Sequence, residues 1–171
     1  MKKYTKYEYI VTQTKMEAIS NIIAFVLIAI LFLVAGLSGL IKGFQNENVW
    51  NPVSIFSLII FALNMPILRS SIKKYKKLQA KIRETAPEDI EKDPDFKSMI
   101  YTKKQLILFV VLLGMLLTAI IALAILMIWL MLNFYATDFL VCFIFLCTLA
   151  IYVAVPTIRY LCLIPIIEKM I

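Results

Sequence analysis

Apolar residues gather into four long runs, 19–41, 53–72, 106–132 and 139–158, while polar ones collect ahead of the first run and between the second and third. A run of about 20 apolar residues crosses the hydrocarbon core of a bilayer as an α-helix, because a helix satisfies its own backbone polar groups without water. The pattern therefore predicts an all-α membrane protein with four transmembrane helices. Connections at 42–52 and 133–138 are short, so the helices are expected as two antiparallel hairpins within one polytopic domain, 1–171. The first run exceeds the roughly 7–15 residues of a signal-peptide core and reads as an anchor.

Composition agrees with this pattern. Of 171 residues, 62% are apolar and 17% charged, and the mean hydropathy is +0.88, far from the roughly 45–50% apolar and 25% charged balance of soluble domains. The net charge of +7 is unevenly placed. Lys2, Lys3, Lys6 and Lys15 precede the first run, Arg69 ends the second, ten Lys or Arg lie within 73–104, and Arg159 and Lys169 follow the fourth. Only Lys42 falls on the other side. The positive-inside rule then places both termini and the 73–105 loop in the cytoplasm of a plasma-membrane protein. Fifteen Lys against three Arg, with abundant Ile, points to an AT-rich bacterial genome. Trp50, Trp129, Phe134 and Tyr135 are expected at the outer interface, and Tyr9, Tyr75, Tyr101 and Tyr160 at the inner one.

Two stripes of small residues suit close helix contact. Ala35, Gly39 and Gly43 recur every fourth residue on the first helix, and Gly114, Thr118 and Ala122 do so on the third, a spacing that lets backbones approach in lipid. The first and third helices are the expected central contact, with a partner interface as the alternative. At an offset of 90, Pro66-Ile67-Leu68-Arg69 aligns with Pro156-Thr157-Ile158-Arg159, which suggests that the hairpins form a parallel tandem repeat. Pro66 and Pro156 would kink their helices, and Asn64 would bond a carbonyl freed by Pro66 or one on a neighbouring helix. No ionisable group is expected at the membrane centre, which argues against a proton relay.

The polar segment opens with Lys73, Lys74, Lys76, Lys77, Lys81 and Arg83 among Ile72, Tyr75, Leu78 and Ile82, a spacing that carries the second helix past the membrane to about Thr85 as a basic cytoplasmic extension. These residues, with Arg69 and Arg159, are expected to contact anionic lipid headgroups. Nucleic acid is not expected as a partner, since no groove-reading motif accompanies the charge. Residues 87–95 are acidic, bracketed by Pro87 and Pro94, and predict a loop without calcium-site spacing. The 4–16 segment is expected as a short helix lying on the membrane surface. The outer loop offers a small epitope at Gln45-Asn46-Glu47-Asn48.

Candidate chemistry is sparse. There is no histidine, no phosphate-binding glycine loop and no nucleophile elbow, so neither catalysis nor a metal or other cofactor is expected. Cys142, Cys147 and Cys162 fit neither a redox nor a zinc spacing and read as packing residues. What is left is a non-catalytic protein that binds a membrane partner, as an accessory or toxin-immunity-like subunit, or else a subunit of a small homo-oligomeric transporter or channel.

Overall fold

A computed structural model describes residues 5–45, 52–86, 89, 101–134 and 139–169. Four helices occupy almost all of them: α1 (Lys6–Gln45), α2 (Pro52–Glu84), α3 (Lys103–Phe134) and α4 (Phe139–Ile167). All four are long and apolar enough to cross a membrane. Residues 46–48 of the expected epitope, the acidic loop apart from Asp89, and the 135–138 turn lie outside the described residues, as do the side chains of Gly43, Gln45 and Phe134.

Local signals set the helix starts. Thr5 and Glu8 form a capping box, Glu8 N–H donating to Thr5 Oγ1 (3.2 Å) and Thr5 N–H to Glu8 Oε2 (3.0 Å). Thr102 and Gln105 repeat the arrangement at the start of α3, with bonds of 2.9 and 3.3 Å. Pro52 opens α2, where its missing N–H costs nothing. Pro66, Pro156 and Pro165 lie inside helices that continue through them.

Three helices run past the ends of their apolar runs. α1 begins well before residue 19, α2 continues to Glu84 as its spacing predicts, and α4 continues to Ile167. At about 1.5 Å per residue these surplus turns add roughly 13–20 Å at the lysine-rich end, and they pack together. Tyr9, Ile10 and Val11 of α1, Leu106 of α3 and Leu163 of α4 are buried there against Leu78 and Ile82 of α2 and Tyr101 and Tyr160. The 4–16 segment is thus not a separate surface helix. Its Tyr9, Ile10, Val11, Gln13 and Thr14 are buried, the three apolar ones in the cluster completed by Leu106 of α3 and Leu163 of α4.

A second cluster lies between α1, α2 and α4, where Ile28, Phe32 and Ile144 are buried among Ala35, Val53, Ile60 and Ile151. The extensive contacts are α1 with α2, α1 with α4, and α3 with α4. The expected central contact of α1 with α3 is replaced by α1 on α2 and α4. The α1–α4 contact also has no counterpart of like extent between α2 and α3, so the packing does not follow the two-fold relation that a tandem repeat suggests. The least exposed stripe of α3, Leu106, Val110, Leu113, Leu117, Ile120, Ala124, Met127 and Met131, alternates steps of four and three. That heptad seam matches a single neighbouring helix.

Large apolar side chains elsewhere face outward, among them Leu132 (71% exposed) and Met115 (67%). Such a surface suits lipid and would aggregate in water.

Candidate functional site

The two small-residue ridges have different surroundings. On α1, a Cβ at Gly39 would collide with Ser54 Oγ and lie 3.0 Å from Ser54 Cβ, so the ridge lets α2 approach. Gly36, which the four-residue spacing passes over, is also tight: a Cβ there would lie 2.7 Å from Leu58 Cγ and Cδ2 and 3.3 Å from the Ser54 carbonyl oxygen. Its signal was available as a second glycine one turn from Gly39. Ala35 packs beside the Ile28 cluster. On α3, a Cβ at Gly114 would meet nothing within 4 Å, and Thr118 and Ala122 are exposed. The Thr118 hydroxyl donates to its own helix at Gly114 O (2.9 Å), leaving a smooth surface.

Asn64 is buried, and its Nδ2 donates to the Phe25 carbonyl of α1 at 2.9 Å. That choice between the two expected acceptors links α1 and α2 midway along their apolar runs. Pro66 is exposed and Pro156 partly so. Thr157 bonds Val153 O (2.7 Å) beside the interrupted hydrogen-bond ladder.

The basic residues also separate. Arg69, Lys73, Lys74, Lys76, Lys77 and Arg83 are exposed and Lys81 partly so. Arg159 differs: 14% of its side chain is exposed, it lies 3.8 Å from Glu17 of α1, and its guanidinium sits 4.7 Å from the Tyr160 ring centroid. It therefore ties α4 to α1, in place of the headgroup contact expected for it. Lys103 pairs with Glu168 at the surface of the same end.

The inner tyrosines are placed as core rather than as a lipid-facing belt. Tyr9 is fully buried. Tyr101 stands edge-on to Phe109 (5.8 Å) and Tyr160 (6.0 Å), and Phe109 and Tyr160 lie 5.5 Å apart. Tyr75 accepts a bond from Gln79 Nε2 (2.7 Å) on its own helix. Trp129, by contrast, is 55% exposed near the opposite end.

Among the described residues, two clefts stand out as of ligand size. One, about 490 Å³, lies between α1 and α2 at the lysine-rich end and is lined by Thr14, Glu17, Ala18, Asn21, Lys74, Lys77, Leu78 and Lys81. The other, about 480 Å³, separates α3 from α1 and α2 and is almost wholly apolar, with Phe32, Phe56, Leu123, Met127 and Phe145 in its walls. The three cysteines are free thiols, and no metal-holding group of His, Cys, Asp or Glu occurs among the described residues.

The chain matches no family model, no curated protein and no solved structure.

Proposed function

We propose that this is a non-catalytic membrane protein that acts by binding another membrane protein through the outward face of α3, as an accessory or toxin-immunity-like subunit. The observation that carries this reading is the open Gly114-Thr118-Ala122 ridge. Small residues are costly to leave facing lipid, since they forgo dispersion contacts that a larger side chain would make, and in a bilayer they favour a second helix at close range. The α1 ridge is already occupied by α2, whereas α3 packs extensively on α4 alone.

In this reading the helices form two hairpins in the plasma membrane with the lysine-rich end and both termini in the cytoplasm. The charge distribution supports that orientation, and the exposed lysines of α2 then meet anionic headgroups.

Affinity capture of the tagged protein in mild detergent, at native expression level, tests the partner reading through native mass spectrometry. A foreign membrane protein should co-elute in fixed ratio, and Gly114→Leu should remove it while leaving the melting temperature unchanged. A symmetric homo-oligomer without a foreign partner would replace this reading with the transporter one. A complex indifferent to Gly114→Leu would remove α3 as the contact.

A further inference from the structure

We propose that the cleft between α1 and α2 at the lysine-rich end is a discrete binding site for the phosphate of an anionic phospholipid headgroup. The inference rests on that end meeting headgroups and is independent of the partner reading.

Lys74, Lys77 and Lys81 recur at i, i+3 and i+7 and therefore share one face of α2, opposite Thr14, Glu17, Ala18 and Asn21, which share one face of α1. The volume between them, about 490 Å³, falls within the range of small-ligand pockets. Its charge balance favours an anion. Glu17 is the single carboxylate in the wall and is engaged by Arg159 at 3.8 Å, while no carboxylate among the described residues pairs with Lys74 or Lys77. The Asn21 amide adds a neutral donor. The Thr14 hydroxyl proton is committed to the Ile10 carbonyl (2.8 Å), so its oxygen can only accept, for instance from a lysine ammonium.

Depth argues for a lipid over a soluble anion. The cleft begins at the ends of the apolar runs of α1 and α2, and Lys74 and Lys77 lie within about 8 Å of those ends, inside the roughly 5–8 Å depth of one headgroup layer. Lys73 and Lys76 carry the same charge and are exposed, yet neither lines the cleft.

That difference supplies the test. Delipidated full-length protein in detergent is incubated with phosphatidylglycerol or phosphatidylcholine of matched chains, and retained lipid is counted by native mass spectrometry. Wild type should keep one phosphatidylglycerol in preference to phosphatidylcholine. Lys74→Gln with Lys77→Gln should lower its retention roughly tenfold or more, as two lost charges imply, whereas Lys73→Gln with Lys76→Gln should change it less than about twofold. Circular dichroism should show equal helicity in both variants, all four side chains being exposed. Equal losses would overturn the discrete site in favour of diffuse surface attraction, and absence of a headgroup preference in wild type would overturn it outright. Excess inorganic phosphate should leave the lipid bound; displacement by phosphate alone would overturn the lipid assignment and name a soluble anion instead.

Discussion

Gly39 and Gly114 stand in ridges of the same spacing, yet an added side chain has opposite consequences at the two positions. At Gly39 it would enter space held by Ser54, which is 1% exposed and has nowhere to retreat. Overpacking of this kind costs about 1–3 kcal/mol, so Gly39→Leu should lower the unfolding midpoint in detergent, while Gly114→Leu should leave it in place. A shared response of both variants would mean that ridge spacing, and not the neighbour, governs stability. Asn64 teaches the same lesson: its residue type announces a hydrogen bond within lipid, but only the neighbouring chain supplies the acceptor, Phe25 O.

Among elements, α4 has an end that is more than a membrane exit. Past Arg159 it carries Leu163, fully buried among turns of α1 and α3, and Leu161, 48% exposed, two residues away. Leu163→Ala should therefore destabilise by about 2–5 kcal/mol in chemical unfolding of the micellar protein. Leu161→Ala should cost less than about 0.5 kcal/mol. The lysine-rich end of α2 was recognisable in the sequence because its polar residues interrupt apolar ones at helical spacing. The matching extension of α4 was not, since Arg159 reads as a helix end until its guanidinium is seen to turn toward Glu17.

The four helices are tied together at the lysine-rich end, and α3 stands apart from α1 and α2 farther along. All four helices contribute to the cluster around Tyr9, Leu106 and Leu163, while an apolar cleft separates α3 from α1 and α2 farther along. Such a base can hold the bundle while α3 presents its outer face to another chain. Orientation is open to direct test in a variant whose three cysteines are replaced by alanine. A cysteine at Asn133 should react with membrane-impermeant maleimide on intact cells, and one at Lys104 only after permeabilisation. The reverse pattern would invert the topology and move the lysine cleft to the outer leaflet.

Length and polarity of the apolar runs are enough to specify four helices able to cross a bilayer, because a chain in hydrocarbon has few other ways to satisfy its backbone. Thr5, Thr102 and Pro52 start their helices through contacts within one turn of the chain, a local signal that the hydropathy pattern leaves unused. Which helix faces which is another matter. In water, burial marks one face of a helix as apolar; in lipid, outside and inside are alike in polarity, and a contact face is marked only by small or polar residues that do not name the neighbour. For that reason Gly39 beneath α2, Gly114 facing outward and Lys74 with Lys77 around a cleft became distinct only when α1, α2 and α4 were packed together.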